Sequence, residues 1–163
     1  MATFILFVIV TTSQRPPVLQ SIYFIPHVVV YLFAYLVIWG VFILRVWGFF
    51  STQMTRKTRI YADDRWDLLV RIGTVALGVG MCLGALWAKK AWGQYWSWDI
   101  KETAALITWL IFLLYLHLAK IKKINRKILL IIFMIGFLSL NFTWFGVKYL
   151  PQKSAHSYYN TTS

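Results

Sequence analysis

The chain has 163 residues, of which 60% are apolar and 13% charged, with nine Trp and a formal net charge of +12. A soluble domain is about 45–50% apolar and about 25% charged, so the composition excludes an ordinary soluble domain and points to lipid as the solvent. A single cysteine, Cys82, excludes an internal disulfide framework, a Cys-only metal site and the Cys-x-x-Cys-His signature of covalent haem attachment.

Residues 1–10 are apolar but reach only about 15 Å as a helix, half a bilayer. Neither a basic n-region nor a cleavage site marks a signal peptide there, so a partial span or a surface-lying segment is expected. Arg15-Pro16-Pro17 then ends any helix, because proline lacks a donor and restricts its predecessor.

Four longer apolar runs follow, at about 22–46, 68–88, 103–119 and 128–150. Each has the length a spanning helix needs. The expected fold is all-α: a polytopic transmembrane helix bundle of four full spans plus the partial N-terminal segment, forming a single membrane domain over 1–163. The second run holds Ala76, Gly80 and Gly84 at four-residue spacing. Small residues on one stripe permit close helix approach, and packing within the chain is favoured over dimerisation.

The connecting segments are 47–67, 89–102 and 120–127. In a soluble protein the positive charge would suggest nucleic acid, but these spacers are too short for any nucleic-acid-binding fold, and none is expected. Of the 17 Lys and Arg, eleven fall in or beside 47–67 and 120–127, and six lie on the other side. The positive-inside rule places the two basic segments in the cytoplasm. The segment around Arg15, the loop 89–102 and the C-terminal tail then lie outside.

That outer loop carries Trp92-Gly93-Gln94-Tyr95-Trp96-Ser97-Trp98-Asp99. One reading is an interfacial aromatic belt. The other is a wide π-rich shelf for a planar apolar ligand. Asp99 and Glu102 have the spacing of N-cap and N3, a capping box with an acidic cap at the start of the third span. Capping is favoured over catalysis, since no base, nucleophile or metal-ligand cluster accompanies Asp99.

The three histidines divide between the two sides. His27 and His156 share the outer side with the Trp loop, whereas His117 lies about 21 Å deeper along the third span. A lone helical histidine is commonly a hydrogen-bonded structural residue. Two histidines converging on an aromatic shelf supply axial imidazoles for a haem iron. His117, ionisable at the edge of a span, is a functional-site hypothesis in its own right, and its second ligand is not in this chain.

The segment from Trp92 to Glu102, followed by Ala105-Leu-Ile-Thr-Trp-Leu and Tyr115-Leu-His117, resembles the signature of the CcsA/ResC family, haem-handling components of system II cytochrome c biogenesis. Pro16 to Ser21 with Pro26-His27-Val is similar to that family's outer histidine segment. Phe145-Gly-Val-Lys-Tyr149 and His156-Ser-Tyr are similar to its C-terminal one. The resemblance runs over about residues 15 to 160. It departs at Ile100, where the family usually has proline, and upstream, where members commonly have further helices. A short split form or a truncated one is therefore expected.

The resemblance implies a cofactor, partners and ligands. Haem b, bound non-covalently, would be taken from the cytoplasmic side and presented outside to apocytochrome c bearing Cys-x-x-Cys-His. His27 and His156 would be axial ligands of an outer haem held by the loop (Trp92, Gly93, Tyr95, Trp96, Trp98, Asp99). His117 would ligate an intramembrane haem whose other ligand comes from a CcsB/ResB-type subunit, the two subunits forming a cytochrome c haem lyase complex. Lys89, Lys90 and Lys101 flank the loop as candidates for the propionates, or as ordinary interfacial anchors. The expected location is the bacterial cytoplasmic membrane, in contact with its lipid. The competing classes are a b-type electron-transfer subunit, which needs histidines paired on facing helices, and a scaffold or permease without haem.

Overall fold

The computed structural model describes residues 21–50, 56–121 and 124–146; for 49, 50 and 56–63 it describes the backbone alone. Within these residues everything regular is helical: α1 (Phe24–Phe50), α2 (Arg56–Trp92), α3 (Ile100–Ala119) and α4 (Arg126–Asn141). α4 passes directly into a π-helical turn, Phe142–Gly146. Residues 1–10 and His156 lie outside the described residues.

α1, α2, α3, and α4 together with its π turn, each provide a stretch long and apolar enough to cross a membrane: Phe24–Gly48, Asp64–Trp92, Ile100–Ala119 and Arg126–Gly146. The protein is a membrane protein. Two expected connections are shorter than the hydropathy suggests. α2 begins at Arg56 and α1 runs to Phe50, so most of 47–67 is helix. The Arg, Lys and Asp residues from Arg56 to Asp67 are polar but helix-compatible, and no Gly or Pro falls among them. The loop expected over 89–102 shrinks to 93–99, because α2 continues to Trp92 and α3 starts at Ile100. Pro26 sits in the first turn of α1, where a missing N–H breaks no intrahelical bond.

The helices run up-down-up-down. His27, early in α1, meets Gly80 and Gly84 late in α2, while Arg45, late in α1, meets Asp67 early in α2. The Trp109 indole on α3 donates to the Thr74 carbonyl of α2 at 3.0 Å. Thr108 on α3 and Ser139 on α4 share a hydrogen bond at 2.7 Å. α1 packs chiefly on α2 and α3 on α4, with narrower seams joining the two pairs.

Ile38, Val41, Val70, Leu77, Phe112, Tyr115, Phe133 and Leu140 fill the centre. The Phe42 ring lies flat on Phe137, with centroids 4.1 Å apart. Outside, α1 exposes Val29, Phe33, Leu36 and Ile43 along one stripe, and α4 exposes Ile128, Ile131, Ile135 and Leu138. Faces this apolar suit lipid, and the helical backbone satisfies itself internally, as a bilayer requires. The buried hydroxyls do likewise: Thr74 donates to the Val70 carbonyl and Thr108 to that of Ala104.

Sequence spacing expected the small-residue stripe of α2 to serve packing within the chain, and it does. A Cβ on Gly80 would lie 2.6 Å from the Tyr31 ring, and one on Gly84 would lie 2.7 Å from His27 Cε1. These glycines accept aromatic side chains of α1 rather than bare backbone.

A second cluster holds the opposite end. Arg45 (α1), Asp67 (α2) and Tyr115 (α3) form a chain in which the guanidinium donates to the phenol oxygen and the phenol donates to the carboxylate. Arg45 also reaches Asp67 directly at 3.2 Å, and Arg126 of α4 approaches the other carboxylate oxygen at 3.7 Å. One carboxylate thus joins all four helices. The guanidinium lies over Phe133 at 4.8 Å from the ring centroid, a favourable place for a desolvated cation.

Candidate functional site

At the loop end, a pocket of about 450 Å³ opens among α1, α2, α3, the 93–99 loop and the π turn. Its walls include His27, Tyr31, Trp87, Trp92, Trp96 and Trp144. The volume lies in the range of about 300–1,000 Å³ typical of small-molecule sites.

His27 is fixed from three sides. Its Nδ1 is 2.8 Å from the Gly80 carbonyl oxygen. A carbonyl only accepts, so Nδ1 carries the hydrogen, and in the neutral ring Nε2 keeps its lone pair. The ring stacks on Trp87 with centroids 6.3 Å apart and 11° between planes, and it meets Tyr31 edge-on at 4.9 Å. A histidine whose second nitrogen donates to a backbone carbonyl is oriented as metal-ligating histidines usually are.

The loop begins where α2 ends. Gly93 has φ +82 and its N–H bonds to the Lys89 carbonyl at 3.1 Å, the left-handed helix cap that glycine allows without strain. The Lys89 ammonium closes back on the Gly93 carbonyl at 2.8 Å and lies over the Tyr95 ring. Lys90 lies over Tyr23. Of the three flanking lysines, Lys101 alone lines the pocket.

The loop ends as the sequence predicts, with one difference. Asp99 is the N-cap of α3 and accepts the Glu102 N–H at 2.8 Å. In a capping box the N3 carboxylate returns to the N-cap amide. Here Glu102 reaches past it to the Ser97 N–H at 2.7 Å and the Ser97 hydroxyl at 3.2 Å. Between these anchors Trp98 has φ +58, a left-handed conformation costing about 1–3 kcal/mol in a bulky residue.

The motif residues therefore divide by side. Trp92, Trp96 and Asp99 line the pocket with His27. Trp98 (71% exposed) and Tyr95 (55%) point outward, and Gly93 is not in the wall. His117 is exposed in the last turn of α3, at the far end of the bundle, where its depth along the span had placed it. Four aromatic wall residues outside the motif were not foreseen: Tyr31, Tyr35, Trp87 and Trp144. The first two carried a signal, since His27, Tyr31 and Tyr35 recur every four residues and share a helical face.

The Trp96 indole nitrogen is buried and finds no acceptor among the described residues. Buried donors are nearly always paired, so this one suits an acceptor brought by a ligand.

A family model described as cytochrome C assembly protein matches residues 1–154. The chain belongs to this family. Among curated relatives named cytochrome c biogenesis protein CcsA, that of Lotus japonicus is 45% identical over 101 residues, covering 61% of this chain and 31% of the relative. The protein from Porphyra purpurea is 47% identical over 90 residues (55% and 28%), and that from Cuscuta exaltata 37% over 119 (72% and 37%). This cytochrome c assembly chain thus spans about a third of the length of the curated relatives it matches. Membership agrees with the resemblance carried by Trp92 to Glu102, and it supports a role in cytochrome c biogenesis.

Proposed function

We propose that this chain handles haem during cytochrome c assembly. It would hold haem b non-covalently in the tryptophan-walled pocket and present it to apocytochrome c bearing Cys-x-x-Cys-His. The observation that carries the reading is His27: its Nδ1 is tied to the Gly80 carbonyl and its Nε2 is left as a potential iron ligand at the pocket wall. The other walls suit the rest of haem. Trp87, Trp92, Trp96 and Trp144 offer π surface to a flat apolar macrocycle. The unpaired Trp96 N–H and the Lys101 ammonium offer donors to its propionates.

In the proposed set, His156 supplies the second axial ligand of this haem, and Trp98, Tyr95 and Gly93 complete the loop that presents it. His117, exposed on α3, would take part in a second haem site whose other ligand comes from a CcsB/ResB-type subunit. The two chains together would act as a cytochrome c haem lyase. Attachment adds each cysteine S–H across a haem vinyl group, so no atom is lost. What the chain supplies is binding and orientation.

The pocket faces the side opposite the basic cluster of Arg45, Arg126 and Lys127, which supports placing the loop outside by the positive-inside rule. The bacterial cytoplasmic membrane is one host; the plastid-type relatives make a plastid membrane the other. His27 and His117 lie at opposite ends of the bundle, so they do not form the facing pair that b-type electron transfer needs.

The test is haem spectroscopy on the full chain purified with and without a CcsB-type subunit, in wild type, His27→Ala, His156→Ala and His117→Ala, paired with maturation of a reporter c-type cytochrome. Loss of pocket haem and of maturation in His27→Ala and His156→Ala supports the proposal. Maturation that survives all three substitutions refutes the ligand assignment.

A further inference from the structure

Glu102 does something a helix cap does not need. Asp99 already caps α3 with its own side chain, and the Glu102 carboxylate passes over the Asp99 amide to hold Ser97 by both its N–H and its hydroxyl. Ser97 stands between two rings with opposite duties. Trp96 faces the pocket, whereas Trp98 faces out, the two rings edge-on at 5.9 Å with 80° between planes. For neighbours this close to face opposite ways, the backbone turns through the left-handed Trp98, a conformation that reverts unless its surroundings over-determine it. Before Trp98, Ser97 is held by Glu102, and after it Asp99 is fixed as the cap of α3.

We infer that Glu102 is the positioning residue of the tryptophan wall: its carboxylate pins Ser97, which keeps Trp96 turned into the pocket and Trp98 in its left-handed conformation. The inference rests on the proposed haem site and extends it to a residue that touches the loop rather than the iron. Glu102 acts through hydrogen-bond acceptance and reach, not through its charge. A residue of the same length that still accepts should therefore replace it, whereas a shorter acid should not. The Lys89 clasp on Gly93 holds the other end of the loop, so the 93–99 segment is fastened at both helix ends with Trp96 presented between.

The test uses the full chain in lipid nanodiscs with Glu102→Ala, Glu102→Asp and Glu102→Gln. Two quantities are read: hydrogen exchange of the Ser97 region without haem, and titration with ferric haem followed in the Soret band. Glu102→Asp keeps an acid in the first turn of α3, so it folds even if alanine does not. The expected result is a loss of loop protection and a weakening of haem binding, each of about tenfold in Glu102→Asp and Glu102→Ala, the size of one lost hydrogen bond. Glu102→Gln should recover most of both. Unchanged protection in Glu102→Asp overturns the inference, and so does lost protection with wild-type haem affinity and spectrum. Failure of Glu102→Gln to recover either quantity also overturns it, since charge rather than reach would then be at work. Wild-type protein that takes up no haem overturns the proposed function itself, and the inference with it.

Discussion

Replacing Asp67 with alanine removes the acceptor shared by Arg45, Tyr115 and Arg126. The Arg45 side chain is only 11% exposed and that of Asp67 16%, so the guanidinium would be left charged and poorly solvated. Breaking a buried pair from one side costs about 3–5 kcal/mol. Arg126, whose side chain is 54% exposed and 3.7 Å from the carboxylate, adds at most about 1 kcal/mol as a surface-type pair. A loss of about 3–5 kcal/mol is therefore expected for Asp67→Ala, read from SDS-driven unfolding in mixed micelles by tryptophan fluorescence. The double variant Arg45→Met/Asp67→Leu removes both charges and should recover most of that loss, because well-packed apolar residues replace a buried pair at little cost. Tyr115→Phe, which deletes only the phenol relay, should cost about 1–1.5 kcal/mol. An Asp67→Ala protein within about 1 kcal/mol of wild type, or a double variant no better than the single, refutes the view that this carboxylate ties the four helices together.

Other substitutions test the loop end. Gly84→Ala places a Cβ 2.7 Å from His27 Cε1, so the imidazole must move; haem retention should fall as in His27→Ala, while stability drops by only about 1–3 kcal/mol, measured on the same preparation. Asp99→Ala should lower stability by about 0.5–2 kcal/mol through the lost cap, with Asp99→Ser recovering it; Asp99→Ser that stays folded yet fails in reporter maturation would argue for a chemical role instead. Trp109→Phe deletes the hydrogen bond to the Thr74 carbonyl and should cost about 1 kcal/mol in the unfolding assay.

The four spans were legible because lipid imposes long apolar runs, and hydropathy reads those runs directly. Hydropathy marks the membrane, however, and not the helix. Arg56 to Asp67 looked like a loop because it is charged, yet helical hydrogen bonding continues through it. The Asp99 cap was legible from a three-residue spacing, since caps are local. The reach of Glu102 to Ser97 was not, because it depends on the left-handed turn at Trp98, and a tryptophan gives no warning of positive φ. That His27 sits at the loop end followed from counting along α1. That it rests on Gly84 and bonds to Gly80 required the register between two helices, which neither helix states alone. Arg45 counted only as one of the cations beside 47–67; packing shows it turned inward and joined to Asp67 through Tyr115.

The π turn at Phe142–Gly146 bears on how this pocket can vary. An i→i+5 turn takes in one residue more than an α turn, so the side chains it carries are turned in azimuth from where a continued α-helix would place them. The Leu140 carbonyl, just before the turn, accepts the Tyr35 hydroxyl at 2.9 Å, and Trp144, inside it, meets the Tyr35 ring at 5.4 Å. The direction of Trp144 is therefore set by how many residues precede it in the helix and only secondarily by which residues they are. Point substitutions within the turn leave that azimuth standing, whereas a single-residue deletion swings Trp144 away from Tyr35 and opens the pocket on the α4 side. In this wall, the number of residues in the turn sets the direction of a ring.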